Sequence, residues 1–145
     1  MRSSEIFSTQ SADETRALGA KLGQLLQPGD LVTLSGALGA GKTTFVQGLA
    51  RALDIESSVV SPTFVLIIEH DGKVPLLHLD AYRLESLCYD AIRDAGVVDL
   101  LEREDAVKIV EWPERIADWL PVPRAAVTFV PGTDENQRRI EITTT

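Results

Sequence analysis

Leucines 18, 22, 25 and 26 recur at the spacing of one helical face. They follow Ser11 with Glu14 three positions on, the capping pattern that opens a helix. The spacing predicts a helix over residues 11–26, stopped by Pro28, Gly29 and Asp30. Residues 31–35 form a short apolar run before glycines, as a buried strand does. Phe45, Val46, Leu49 and Leu53 restore helical spacing over 42–53, which leaves 36–41 as a loop. Runs 64–69 and 74–79 are β-rich and flank Asp71-Gly72, predicting a hairpin. Residues 85–103 read as helical with a weak break at Gly96, and 107–110 as another apolar strand. Pro113 opens a short helix to Leu120 that Pro121 and Pro123 end. Runs 126–130 and 139–143 predict a second hairpin around Gly132. No internal repeat, low-complexity tract or long linker interrupts the pattern. The expectation is one α/β domain over 1–145, with a mixed, mainly parallel central sheet flanked by helices.

Composition narrows the partners. The 145 residues are 44% apolar and 25% charged, ordinary for a soluble protein with one core. A net charge of −8 argues against a free-standing nucleic-acid binder, which needs a basic face for phosphates. The one cysteine, Cys88, allows no internal disulfide, and with two histidines makes a zinc site unexpected. Both facts suit a reducing cytoplasm. The N-terminal stretch has no apolar signal core, and no run approaches the roughly 20 apolar residues that cross a bilayer. The cytoplasm is the expected location, with no membrane partner.

Chemistry concentrates at Gly36-Ala37-Leu38-Gly39-Ala40-Gly41-Lys42-Thr43, which fits G-x-x-x-x-G-K-[ST], the Walker A pattern, in full. Glycines let the backbone curl so that its N–H groups face phosphate oxygens, and the following helix points its positive end at them. Lys42 reaches the β- and γ-phosphates, and the Thr43 hydroxyl is a Mg²⁺ ligand. Gly36, Leu38, Gly39, Ala40, Gly41, Lys42, Thr43 and Thr44 are therefore candidate contacts for ATP–Mg²⁺ or, second, GTP, and the α/β domain is expected to be a P-loop NTPase fold. The competing reading is a ligand-free turn, which has no use for Lys and Thr after the last glycine.

Such a loop needs a carboxylate at the end of a neighbouring strand. Val107-Lys108-Ile109-Val110-Glu111 and Leu76-Leu77-His78-Leu79-Asp80 both end apolar runs in an acid. Either alone fits a plain solvent carboxylate. Two suggest a division of labour, one positioning the metal and the other orienting or deprotonating water. His78 shares a strand face with Asp80 and reads as a half-buried hydrogen-bonding residue more readily than as a metal ligand. Arg83 fits phosphate charge and fits equally an ion pair with Glu85 or Glu111. Thr63, in the Ser61-Pro62-Thr63-Phe64 turn, is a candidate switch hydroxyl toward Mg²⁺ and the γ-phosphate. Trp112 reads as packing beside the nucleotide or as plain core.

The ordered set G-A-L-G-A-G-K-T-T-F, S-P-T-F, H-L-D-A-Y-R-L and V-E-W-P-E resembles the bacterial TsaE (YjeE) family, small ATPases of tRNA threonylcarbamoyladenosine (t6A) synthesis. The resemblance spans about residues 11–120. It implies ATP binding and hydrolysis that reset a TsaD–TsaB complex between rounds, with tRNA met only through that complex. Carried over residue by residue, it implies Lys42 and Thr43 at phosphate and Mg²⁺, and Asp80 as a required aspartate. It likewise implies Glu111 as the metal-associated glutamate, Trp112 as its neighbour and Thr63 as the switch threonine. It implies an adenine site of N-terminal segment and C-terminal strands, loosely matched by Thr9 to Ser11 and by Gly132. Leu79 replaces a frequent aromatic and Ala37 a frequent acid; neither touches the phosphate chemistry. No N-K-x-D motif selects guanine. A small P-loop kinase and a nucleotide-controlled binding module remain as alternatives. The first lacks an Arg-rich lid, and hydrolysis is expected to be slow, since no arginine finger is assignable.

Overall fold

A computed structural model of the chain describes residues 3–36, 41–55, 67–72, 74–82, 84, 88–132 and 137–145. Helix α1 (Ala12–Gly23) begins as its sequence demands: the Ser11 side chain accepts from the Glu14 N–H at 3.1 Å. It stops three residues before the apolar pattern does. Leu18, Leu22 and Leu26 are buried, but Leu25, beyond the helix end, is 62% exposed. Leu31–Ser35 forms strand β2, and Lys42–Ala52 forms helix α2. These two helices cross at backbone contact. A Cβ at Gly48 would collide with the Arg16 carbonyl, and one at Gly19 with the Phe45 carbonyl. The missing side chains thus seat α2, and with it Lys42, closely against α1.

The strand pattern holds with one addition. Ser3–Thr9 is a strand, β1, which the polar N-terminus does not announce. It exists through antiparallel pairing with β7 (Arg138–Thr144), from Ser3 opposite Thr144 to Thr9 opposite Arg138. Strand β3 (Ile67–His70) and β4 (Leu76–Asp80) form the expected antiparallel hairpin about Asp71-Gly72. Positions 64–66 lie outside the described residues. The expected helix over 85–103 is two short helices, α3 (Tyr89–Asp94) and α4 (Val97–Glu102), divided at Gly96. Strand β5 (Val107–Glu111) leads into a 3-10 segment, Pro113–Trp119, kinked at Ile116. Strand β6 (Ala125–Pro131) then turns back on β7, with the Gly132 N–H donating to the Gln137 carbonyl.

The seven strands run in the order β1-β7-β6-β2-β5-β4-β3. The centre, β6-β2-β5-β4, is parallel; both margins are antiparallel. This is the mixed α/β sheet that the sequence predicts. Strand alternation splits the core into two layers. Val32, Leu34, Leu76, Val107 and Ile109 pack with α1 and α2 residues; Leu31, Leu77, Leu79 and Val110 pack with α3, α4 and Ile116. His78, Asp80 and Glu111 share the parity of the first set, so they lie on the α2 face, Asp80 and Glu111 at the carboxyl ends of their strands. Ligands of open α/β sheets bind there.

Candidate functional site

Gly41 caps α2 with φ +99 and ψ 10, a left-handed turn that costs a glycine nothing. No side chain bonds this cap, and the first turn holds no acid to offset the positive helix end. Lys42 follows at once and is only 5% exposed. Its Nζ stands 3.6 Å from Glu111 Oε1 and 4.8 Å from the centroid of the Trp112 ring. The first distance is an ion pair longer than a good hydrogen bond. Among the described residues Nζ has no hydrogen-bond partner.

Glu111 ends β5 directly opposite Asp80 on β4 and Leu34 on β2. Its Oε2 lies 2.8 Å from His78 Nε2. Burial alone would push this carboxyl up. The His78 ring and the Lys42 ammonium outweigh it and hold the group below the usual carboxylate range, so it is ionised. Because an ionised carboxylate only accepts, His78 Nε2 carries the proton and donates. Asp80 moves the other way: partial burial raises it, and Glu111 adds to the rise, against the Tyr82 N–H that Oδ1 accepts at 2.9 Å. Adjacent strands thus present an acidic carboxylate and a more basic one, the divergence expected of two carboxyls with different tasks.

Trp112 takes φ +57, a left-handed conformation that costs a non-glycine residue roughly 1–2 kcal/mol. Its N–H donates to the Leu34 carbonyl at 3.2 Å, and the Ala81 N–H donates to the Glu111 carbonyl at 3.0 Å. These bonds tie the ends of β2, β4 and β5 together. The Trp112 ring meets Tyr82 edge-on at 5.0 Å, and the Arg115 guanidinium stacks within 5.4 Å of both rings. Trp112 therefore packs against Tyr82, Arg115 and the Lys42 ammonium.

The structure gathers Lys42, His78, Asp80, Glu111 and Trp112 from three elements. Thr43 and Thr44 follow on the first turn of α2, half-buried. Gly36 ends β2's exit, whereas Leu38, Gly39, Ala40, Thr63, Arg83 and Glu85 lie outside the described residues. Ser11 is engaged as the α1 cap, and the neighbouring Thr9 hydroxyl bonds that of Thr15 at 2.8 Å. Gly132 sits in the β6–β7 turn. His78 is fully buried rather than half-buried, since β4 is an inner strand of the sheet.

Two neighbours went unforeseen. Arg138 opens β7 with its side chain 3.6 Å from where a Gly41 Cβ would lie. Arg115 covers the Tyr82–Trp112 pair. Both are brought in by long-range packing that no local pattern encodes. Elsewhere, an apolar groove lined by Phe7, Leu18, Leu22 and Ile142 lies toward the β1 margin, among none of these charged groups.

Fold and site define a class: an α/β protein whose strand, glycine-rich loop and helix meet two carboxylates at the ends of parallel strands. Comparison with known proteins specifies it. The family profile "Threonylcarbamoyl adenosine biosynthesis protein TsaE" matches residues 9–140. A tRNA threonylcarbamoyladenosine biosynthesis protein TsaE of Treponema pallidum is 42% identical over 129 residues, 89% of this chain and 93% of that protein. The Bacillus subtilis protein of the same name is 39% identical over 138 residues, covering 94% and 84%. The crystal structure of Bacillus subtilis YdiB superposes with a TM-score of 0.78 at 32% identity, covering 99% of this chain and 87% of that one. The chain belongs to the TsaE family. Among its described residues no helix is long and apolar enough to cross a membrane.

Proposed function

We propose that this chain binds ATP with Mg²⁺ at Gly36 to Thr43, hydrolyses it slowly, and serves t6A formation in tRNA by binding and resetting a TsaD–TsaB complex. The observation behind the reading is the Lys42 ammonium. It is buried at the loop–helix junction, has no hydrogen-bond partner among the described residues, and stands beside a carboxylate kept ionised. A buried ammonium left short of acceptors is costly unless a ligand supplies them. Phosphate oxygens held at the α2 N-terminus are that ligand.

The donor set suits magnesium. Among the described residues no three His, Cys, Asp or Glu side chains close a cage. Mg²⁺ needs none, since it keeps several waters and takes one or two protein oxygens with the phosphates. Thr43 and Glu111 would hold it, and when bound it supplies charge neutralisation at the phosphates. Lys42 binds the β- and γ-oxygens. Asp80, the more basic carboxylate, orients the attacking water and accepts its proton on a carboxylate oxygen. Thr63 serves as the switch hydroxyl. Ser11 and Gly132 border the adenine, and ADP leaves from the same site. A chain of charge −8 meets tRNA through its protein partners rather than directly.

Calorimetry and reconstitution test this. ATP–Mg²⁺ should bind the parent chain and fail to bind Lys42→Ala. Added to TsaD and TsaB, the parent should raise t6A formation over many turnovers. Retained ATP binding by Lys42→Ala overturns the loop assignment; unchanged multiple-turnover yield without the chain overturns its role.

A further inference from the structure

His78 is a histidine that the fold does not require. Strand β4 is already held by its backbone ladders to β3 and β5, with His78 opposite Ile68 and Ile109. Its neighbours along the same face, Leu76 and Ile109 of β5, are apolar. An apolar side chain would fill the position without hydrogen-bonding needs. Instead an imidazole is buried completely, with Nδ1 lacking a hydrogen-bond partner among the described residues. An unsatisfied buried polar atom destabilises. Among the described residues the one bond the ring makes goes to Glu111.

The two oxygens of Glu111 are therefore differently engaged. Oε2 is tied to His78 Nε2 at 2.8 Å, while Oε1 faces Lys42 Nζ at 3.6 Å. We infer that His78 is a positioning residue that pins Oε2 of Glu111, so that Oε1 stays aimed at the mouth of the loop and does not close on Lys42. The inference rests on the proposed role of Glu111 as the metal-associated carboxylate. Without the imidazole N–H, the nearest donor to the buried carboxylate is the Lys42 ammonium. The pair then tightens, and each group is withdrawn from the ligand it should meet.

Three substitutions separate this role from simple packing. Glutamine places its amide nitrogen about where imidazole Nε2 lies; asparagine reaches only as far as Nδ1; leucine offers no donor. His78→Leu and His78→Asn should lower ATP turnover roughly 10- to 100-fold and raise the Mg²⁺ concentration for half-saturation, as loss of an outer partner of a metal-binding carboxylate does. His78→Gln should retain most of the activity. In Glu111→Gln the further change His78→Leu should cost nothing more, since one acts through the other. Nitrogen-15 NMR of the nucleotide-free protein gives a readout independent of turnover. It should show His78 as the Nε2–H tautomer, with a signal that moves in Glu111→Gln.

Parent-like turnover and Mg²⁺ dependence in His78→Leu overturns the inference. So does equal impairment in the Gln and Asn variants, or an Nδ1–H tautomer. If the parent itself fails to hydrolyse ATP, the proposed function falls. The NMR signal and its response to Glu111→Gln still decide whether His78 holds Glu111. Thermal melting of each variant identifies any that fails to fold, in which case the tautomer decides.

Discussion

Among the described residues two lysines are buried, at opposite ends of the central strands. Lys42 is 5% exposed and Lys108 is 4% exposed. Lys108 points from β5 to the far layer and donates to the Leu101 carbonyl at 2.9 Å, in the last turn of α4. A cation there satisfies an orphan carbonyl and complements the negative end of the helix. Lys42 stands at the opposite kind of helix end, the positive one, with a carboxylate at 3.6 Å, an aromatic face at 4.8 Å and no closer acceptor among the described residues. Equal burial thus hides opposite tasks. Lys108 is completed within the fold, and the proposed function gives Lys42 its missing acceptors from the phosphates.

The largest expected effect comes from Lys42→Ala, which should abolish ATP binding in calorimetry while Lys108→Met leaves it intact. Equal loss in both would erase the distinction. Next, Asp80→Asn and Glu111→Gln should each bind ATP yet lose turnover by on the order of 10²- to 10⁴-fold, the span of general-base effects. Normal turnover in both would remove the acids from the chemistry. Third, Lys108→Met should lower stability by about 1–3 kcal/mol, read by denaturant melts, because the Leu101 carbonyl loses its donor. Gly48→Ala should cost a similar ~1–3 kcal/mol through overpacking against Arg16, and serves as a control far from charge.

The smallest effect is in pH. Burial lowers the Lys108 pKa below 10.5, against the raising influence of Glu104, Asp30 and Asp105. The unfolded chain then binds more protons than the native one between the native value and 10.5, so Lys108 makes stability rise with pH in that window. Melts of the parent and of Lys108→Met across mildly alkaline pH should differ in this slope. Parallel curves would mean that Lys108 titrates alike in both states.

Much of this was legible in advance. The Ser11 cap, the strand–loop–helix order around Lys42 and the acids closing two apolar runs are local patterns, and Asp80 does stand opposite Glu111. Local patterns fail where a distant partner decides. The Leu25 side chain fits the apolar stripe of α1, but the helix has ended and the residue faces water. The polar run 3–9 becomes β1 because β7, more than 130 residues away, supplies its ladder at Ser3–Thr144.

By itself the sequence determined which residues form the G-x-x-x-x-G-K-[ST] pattern and close the two apolar runs with acids, and which local elements bear them. Backbone curl, helix capping and side-chain alternation depend on neighbours within a few positions. Only the tertiary structure decided which groups meet. Strand order put His78 against Glu111, 33 positions apart. Pairing of β7 with β6 put Arg138 beside Gly41. Helix placement gave Lys108 a carbonyl acceptor at 2.9 Å and set Lys42 at 3.6 Å from its carboxylate. Such contacts depend on strand register and on how layers pack, and these follow from the whole chain's burial rather than from any segment of it.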